Sequence, residues 1–218
     1  MFMGLTLATI GGVPLATWFG ELFGWRTAFW GITGLGLLTM AALWFALPNL
    51  KAPQSAGVMA EIRVLGRGPV LSALALTVVG SSAMFTVFTY IAPILSSETH
   101  GSTAYITAML VLFGVGLTLG NMWGGKAADR SIDRTLIVSL SVLILVLLAF
   151  TLLMRWEVPA ALAILIWGIA SFALVPPLQM RVMEAAKDAP NLASAVNIGA
   201  FNFGNAIGAA LGGAVINA

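Results

Sequence analysis

The chain has 218 residues, of which 60% are hydrophobic and 8% charged, with a formal net charge of +2. Soluble domains are about one-quarter charged, so this composition excludes an ordinary water-soluble fold. So small an excess of basic residues gives no indication of nucleic-acid binding. With no cysteine and one histidine, His100, the sequence offers no disulfide, thiolate metal site or histidine cluster. It predicts an all-α membrane protein without cofactors.

Seven apolar stretches follow one another along the chain, and the ten basic and eight acidic residues all lie outside them. Each stretch is about 19–27 residues long, enough for a helix to cross a hydrocarbon core of about 30 Å. We therefore predict seven transmembrane helices, at residues 1–19, 27–47, 70–95, 104–125, 136–154, 158–178 and 192–218.

The basic residues between these stretches predict the orientation of the chain. The second, fourth and sixth connectors carry eight Lys and Arg residues, whereas the first, third and fifth carry two. Because cytoplasmic loops are enriched in basic residues, the even connectors are predicted to be cytoplasmic. Residue 1 is then cytoplasmic and residue 218 lies on the outer side of the membrane.

The first stretch combines Gly11, Gly12 and Pro14 near its middle, a pattern that bends a helix and lets another approach closely. No polar or basic residue precedes it, since the first charge is Glu21. We expect the chain to be a fragment of a longer protein. The connector at 48–69 is long, polar and rich in Pro and Gly, which is typical of a boundary between two helix bundles. The predicted organisation is therefore 1–47, a cytoplasmic loop at 48–69, and a bundle at 70–218.

The third stretch mixes aromatic and hydroxyl side chains, namely Phe85, Thr89 and Tyr90, ahead of Pro93. The backbone can break near Pro93 and expose its carbonyls to a cavity. These residues are candidates for substrate binding, and an aromatic packing stripe with Tyr90 at the outer interface is equally consistent with the pattern. In the sixth stretch, Trp167 is the tryptophan that lies near mid-span.

The last stretch carries Gly204, Gly208 and Gly212 at four-residue spacing, a bare stripe suited to close helix contact. It also carries amides at Asn197, Asn202 and Asn205. Asn197 shares the face of the stripe and Asn202 points away from it. Asn197 and Asn205 fit hydrogen bonds between helices, whereas Asn202 fits a cavity equally well. The preceding Pro176–Pro177 pair predicts the end of the sixth helix.

No apolar stretch contains Asp, Glu, His, Lys or Arg. This pattern excludes an intramembrane aspartyl or metalloprotease and a retinal-binding lysine, so we do not expect an enzyme. For the same reason, these stretches contain no titratable group that could carry a coupling proton within the membrane.

The short fourth connector reads GKAADRSIDR, from Gly125 to Arg134. It resembles the loop signature G-x-x-x-D-R-x-G-R-R/K of the major facilitator superfamily, matching at Gly125, Asp129, Arg130 and Arg134. It departs from that signature at Ile132 and Asp133. Gly125 would let the helix end turn tightly, and Asp129 would form a latch with a neighbouring helix. The alternative is an ordinary charged cytoplasmic loop.

Together with the stretches FTVFTYIAPIL and SAVNIGAFNFGNAIGAALGG, this loop is similar to the drug:proton antiporter family of that superfamily, in particular its arabinose-efflux-permease-like members. The resemblance implies spans five to eleven of a twelve-span fold: two helices of the N-terminal bundle, the central loop, and five helices of the C-terminal bundle. It implies a multi-pass protein of a bacterial inner membrane and efflux of a small molecule by alternating access, with protons bound through the other spans.

The resemblance also implies roles for individual residues. Substrate contacts are expected at Phe85, Thr89, Tyr90, Trp167, Asn197 and Asn202. Gating or structural roles are expected at Gly125, Asp129, Arg130, Arg134, Gly11, Gly12 and Pro14. The partners would be the lipid bilayer, a sugar, nucleoside or drug as substrate, and protons. A uniporter or importer of the same superfamily and a non-transporting seven-span scaffold remain alternatives.

Overall fold

The computed structural model describes residues 12, 15, 19–20, 22–46 and 58–216. This part of the chain is helical and contains no β-strand. Its helices, numbered here in chain order, are α1 (Trp25–Ala46), α2 (Val58–Leu65), α3 (Gly68–Phe88), α4 (Ile91–Glu98), α5 (Thr103–Ala128), α6 (Ile132–Leu153), α7 (Glu157–Ala173), α8 (Val175–Ala185) and α9 (Pro190–Ile216).

Six helical segments of the described chain are long and apolar enough to cross a membrane. They are α1, α3, α5, α6, α7 together with α8, and α9. They correspond to the second through seventh predicted spans, so the all-helical membrane fold is confirmed. The first predicted span, at 1–19, lies almost entirely outside the described residues, as do Gly11 and Pro14.

The chain divides into two units, residues 1–56 and 57–218. In the first unit, α1 buries none of its side chains, and large apolar residues such as Trp30, Trp44 and Phe45 are exposed. In the second unit, the end of the predicted 48–69 loop forms helix α2. Val64 of α2 is buried against Val182 and Ala186. The sequence showed only a polar connector here, because a helix of eight residues has too few turns to give a clear period.

The core of the second unit lies between α5, α6 and α7, with α3 and α4 against it. Trp167 and Ile164 of α7 are fully buried near its centre, packed with Phe113 of α5 and Leu143 of α6. Apolar side chains on the outer faces of α6 and α7 are exposed. This inside-out pattern is expected for helices whose outer faces meet lipid rather than water.

The glycine stripe of α9 makes the close helix contact that its spacing predicted, and the partner is α3. A β-carbon at Gly212 would lie 2.7 Å from the carbonyl oxygen of Thr86, and one at Gly208 would lie 3.0 Å from the Thr86 nitrogen. A β-carbon at Gly204 would overlap the Ser81 hydroxyl and the carbonyl oxygen of Val78. These residues must be glycines, because no side chain fits between the two backbones.

A second glycine stripe, which we did not predict, packs α5 on α7. Its members are Gly116, Gly120 and Gly124, again at four-residue spacing. A β-carbon at Gly116 would lie 2.8 Å from the carbonyl oxygen of Leu165, and one at Gly124 would lie 2.6 Å from the α-carbon of Ala173. Two pairs of closely packed helices therefore form the frame of this unit.

The third predicted span is interrupted before Pro93. Helix α3 ends at Phe88 and α4 begins at Ile91. The Tyr90 N–H donates to the carbonyl of Val87 rather than four residues back, at 3.0 Å. Pro93 has no N–H to offer to the carbonyl four residues before it, that of Thr89. The expected break near Pro93 is thus confirmed.

The sixth predicted span is interrupted as well, but the predicted end at Pro176–Pro177 is wrong. Helix α7 ends at Ala173, and α8 continues from Val175 to Ala185 after a single residue, Leu174, whose backbone angles stay helical. The two prolines occupy the first turn of α8, where the missing N–H groups have no helical partner to lose. A proline pair can therefore start a new helical segment inside one span.

Candidate functional site

A buried network of amide and hydroxyl groups joins three helices near the predicted cytoplasmic end of the second unit. The Thr77 hydroxyl of α3 donates to Oδ1 of Asn197 on α9 at 2.8 Å. Nδ2 of Asn197 donates to Oε1 of Gln179 on α8, and Nε2 of Gln179 donates to the Ser194 hydroxyl, both at 2.7 Å. Asn197 is only 4% exposed. Every amide group of this network has a partner within the protein.

Asn197 is thus placed as a connector between helices, one of the two roles that the sequence allowed. Its partners Thr77, Gln179 and Ser194 were not among the predicted site residues. Ser194 and Asn197 are three residues apart on α9, on the face that continues into the glycine stripe. This polar extension of a small-residue face was the signal that could have identified the network.

Tyr90 lies at the opposite end of the interface between α3 and α9. Its hydroxyl donates to the carbonyl of Ala209 at 2.9 Å, and its ring covers the backbone at Gly212 and Gly213. Tyr90 is the second residue after the end of α3 at Phe88. Tyr90 therefore holds the interrupted span against α9 and makes a direct contact with the glycine stripe.

Phe85 and Trp167 belong to one chain of aromatic rings inside the bundle. Phe85 meets Phe88 edge-on at 5.3 Å between ring centroids, and Phe88 stacks on Phe113 at 5.2 Å. Phe113 stacks on Trp167 at 4.3 Å. Trp167 is 0% exposed, and its Nε1 donor has no partner. A substrate contact at Trp167 stays a prediction, and it requires these rings to separate.

Thr89 and Asn202, the other two predicted contacts, are both exposed. Each bonds to the backbone of its own helix, Thr89 to the carbonyl of Phe85 and Asn202 to that of Ile198. The six predicted contacts therefore do not form one cluster in this arrangement. They divide into the α3–α9 interface, the aromatic chain and two exposed positions.

Two further asparagines carry amide oxygens that are buried without a hydrogen-bond partner. They are Asn121, directly after Gly120 in α5, and Asn205, directly after Gly204 in α9. Asn205 was predicted to bond between helices, but its Oδ1 makes no such bond. Each pair includes a glycine of a stripe, the middle glycine in α5 and the first glycine in α9. A buried, unpaired amide oxygen is costly, so these two are candidates to accept a bond from a solute or water.

The loop signature lies at the predicted cytoplasmic ends of α5 and α6. Gly125 does not end a helix, which corrects the role given to it: α5 continues to Ala128. Asp129 and Arg130 form the exposed turn that follows, and Arg134 is exposed in the first turn of α6. Among the described residues, no ion pair is formed by Asp129.

The acid of this loop that does form an ion pair is Asp133, which is one of the two departures from the signature. Its Oδ1 lies 2.6 Å from a guanidinium nitrogen of Arg181 on α8. A second pair joins Arg67, before α3, to Asp188, before α9, at 2.7 Å. Both pairs connect separate spans at the same end of the bundle. Within the described chain, no group of three His, Asp or Glu residues is placed to hold a metal ion.

Comparison with known proteins agrees with this architecture. The chain is 56% identical over its whole length to the inner membrane transport protein YdhP of Escherichia coli K12. Over 214 residues it is 35% identical to the MFS-type transporter YfhI of Bacillus subtilis, and over 216 residues it is 32% identical to a probable sugar efflux transporter of Helicobacter pylori J99. It spans 56%, 54% and 55% of those three proteins, about half the length of each.

The apolar helices and these relatives identify a multi-pass protein of the bacterial inner membrane. The sequence model described as Major Facilitator Superfamily matches residues 1–213, nearly the full chain. Members of that superfamily are in general transporters rather than enzymes. This chain belongs to the major facilitator superfamily.

Proposed function

We propose that this chain takes part in proton-coupled efflux of a small hydroxylated molecule by alternating access. The observation that carries the proposal is the pair of interrupted spans, α3–α4 and α7–α8. Irregular backbone inside a membrane is tolerated where it borders protein or a water-filled cavity. In transporters, Pro- or Gly-interrupted spans at corresponding positions point to the substrate path.

The two interruptions occupy inverted positions. α3 begins on the predicted cytoplasmic side and is interrupted after 21 residues, whereas α7 begins on the predicted outer side and is interrupted after 17. Each of these helices packs on a glycine stripe, that of α9 and that of α5. An inverted repeat of this kind supports alternating access, because corresponding segments can bend at opposite ends of the same path.

A hydroxylated substrate is supported by the polar groups along these helices. The unpaired amide oxygens of Asn121 and Asn205 could accept bonds from hydroxyl groups, and the exposed amide of Asn202 offers another contact. One relative is named a probable sugar efflux transporter. We therefore propose a sugar or a similar polyol as substrate, with nucleosides and lipophilic drugs as the classes to compare.

We assign proton binding to a part of the transporter other than these spans. The charged residues of the described spans lie near helix ends, such as Lys126 of α5 and Glu157 of α7. The interior of these spans offers aromatics, hydroxyls and amides, none of which exchanges a proton near pH 7. In this proposal the second unit binds substrate and bends, and it performs no enzymatic chemistry.

The test is transport into everted membrane vesicles that contain the protein expressed from its complete gene. Uptake of radiolabelled sugars, nucleosides and cationic drugs is measured while respiration acidifies the vesicle interior. We expect sugar uptake that requires the pH gradient and is abolished by an uncoupler. Vesicles with the empty vector are the control.

Each alternative function has its own outcome. Equilibrating uptake that is unaffected by the uncoupler would replace antiport with uniport. Uptake of nucleosides or drugs alone would correct the substrate class. Absence of transport for every class, with the protein folded in the vesicles, would overturn the proposal in favour of a scaffold.

A further inference from the structure

An apolar groove runs along the outer surface of the second unit between α6 and α7. It consists of two adjoining clefts of about 290 Å³ and 460 Å³, which share Val142 and Ile166. The smaller cleft is lined mainly by Trp123, Val138, Ser139, Val142, Ile166 and Ala170. The larger cleft extends to Leu153 of α6 and Pro159 of α7.

The groove is shaped for a chain rather than for a compact solute. From Val138 to Leu153 it covers 15 residues of helix, about 22 Å at 1.5 Å per residue. One leaflet of a bilayer core is about 15 Å deep, so an acyl chain of that leaflet can lie entirely within the groove. The lining is apolar apart from Ser139.

Basic side chains stand at the cytoplasmic end of the smaller cleft. Lys126 is three residues after Trp123 on α5, and Arg134 is four residues before Val138 on α6. Residues three or four apart share one face of a helix, so each basic residue lies one turn beyond a residue that lines the cleft. Both are therefore at the depth where lipid headgroups meet the protein.

These positive charges are not neutralised by neighbouring acids. In the described part of the chain the ion pairs are Arg67 with Asp188 and Arg181 with Asp133, so Lys126 and Arg134 remain without one. Asp133, which is next to Arg134 in the chain, is already paired with Arg181 on α8. Asp129 is the one remaining acid there, against Lys126, Arg130 and Arg134.

We propose that this cleft binds an anionic phospholipid of the cytoplasmic leaflet. One acyl chain lies along Val138, Val142 and Ile166, and the phosphate lies between Lys126 and Arg134. Trp123 closes the top of the cleft at headgroup level, where tryptophan is favoured. An apolar slot beneath two unpaired cations fits a phosphatidylglycerol-type lipid, whereas an apolar protein segment would leave the cations unused.

The test uses the protein from its complete gene, reconstituted into nanodiscs with lipids brominated on their acyl chains. Bromine quenches tryptophan by contact, and subtraction of the Trp123→Phe signal isolates Trp123 from all other tryptophans of the protein. Brominated phosphatidylglycerol is titrated against brominated phosphatidylcholine. Because two surface cations each attract an anionic lipid, we expect half-maximal quenching at a phosphatidylglycerol content about thirtyfold lower than the phosphatidylcholine content required.

The double variant Lys126→Gln with Arg134→Gln should lose this preference. The matched control, Arg63→Gln with Lys187→Gln, removes the same charge on the same side of the membrane and should keep it. Val142→Phe, which fills the cleft, should weaken quenching by both lipids.

Three outcomes would overturn the proposal. Equal quenching by the two lipids would mean an ordinary lipid annulus. Equal loss in the double variant and its control would mean a diffuse charge effect. No quenching by either lipid would mean that a protein segment or a second copy covers the cleft.

Discussion

At the scale of single residues, hydrogen bonding separates asparagines that look alike in the sequence. Asn197 is buried and bonded to both Thr77 and Gln179, whereas Asn202 is exposed and bonds to its own helix. Hydrogen bonds between membrane helices contribute about 0.6 kcal/mol on average and about 1.7 at most. Removing Asn197 also leaves the partly buried Gln179 side-chain carbonyl without its partner.

Asn197→Ala should therefore destabilise the protein by about 1–2 kcal/mol, the sum of lost bonds and a small cavity. Asn202→Ala, on the same helix, should change stability by less than about 0.5 kcal/mol. The measurement is unfolding of the purified protein in mixed micelles by denaturant. Equal stability of the two variants would show that the network is not a structural connection.

At the scale of helices, the two glycine stripes bring backbones into direct contact. The carbonyls of Val78, Ser82 and Thr86 face α9, and those of Leu165 and Ile169 face α5. Dispersion forces at this range hold membrane helices together without a hydrophobic driving force. The contact leaves no space for even one methyl group between the two backbones at these glycines.

We expect Gly208→Ala to destabilise the protein by about 1–3 kcal/mol, because α3 must move away from the new methyl group. Gly199→Ala provides the control, since a β-carbon at Gly199 has nothing within 4 Å. Replacing that glycine should be neutral or stabilise by up to about 1 kcal/mol through helix propensity. Thermal unfolding of both proteins in the same detergent decides the matter, and loss of stability at both sites would refute the contact.

The interruption before Pro93 leads to a prediction about movement. In Pro93→Ala, residue 93 can donate to the carbonyl of Thr89, so the break between α3 and α4 should close. We expect slower transport with stability retained, together with greater protection of the amides at residues 90–92 in hydrogen exchange. Pro159→Ala, in the first turn of α7 where no interruption exists, should change neither property. Unchanged exchange in Pro93→Ala would show that the break has another cause.

At the scale of the whole second unit, two ion pairs connect spans at the predicted cytoplasmic end. The side chains of Arg181 and Asp133 are 43% and 66% exposed, so their pair contributes about 0–1 kcal/mol. Such a pair adds little to folding. It can still shift a conformational equilibrium about fivefold, since 1.4 kcal/mol corresponds to a factor of ten.

Asp133→Arg should therefore change the transport rate by up to about fivefold while leaving the unfolding free energy within about 1 kcal/mol. The charge-swapped variant, Asp133→Arg with Arg181→Asp, should recover the original rate. Initial rates in everted vesicles give the measurement. Failure of the swap to restore the rate would mean that the effect of Asp133 does not pass through Arg181.

The sequence by itself determined the membrane class, the approximate position of six described spans apart from the end of the sixth predicted one, and the glycine stripe of α9. These follow from local rules: charges avoid the bilayer, about 20 apolar residues cross it, and four-residue spacing places glycines on one face. The break before Pro93 was predictable for the same reason, because a proline removes a specific hydrogen bond whatever surrounds it.

Only the tertiary structure decided what each face meets. The stripe at Gly116, Gly120 and Gly124 was visible as spacing, yet its importance depends on α7 lying against it. Likewise, Asp133 departs from the loop signature, and the sequence gives it no partner. The partner, Arg181, lies beside it because α8 continues past Pro176 and Pro177. Spacing in the sequence shows which face of a helix is small or polar, but the partner of that face is distant in sequence and is decided by packing.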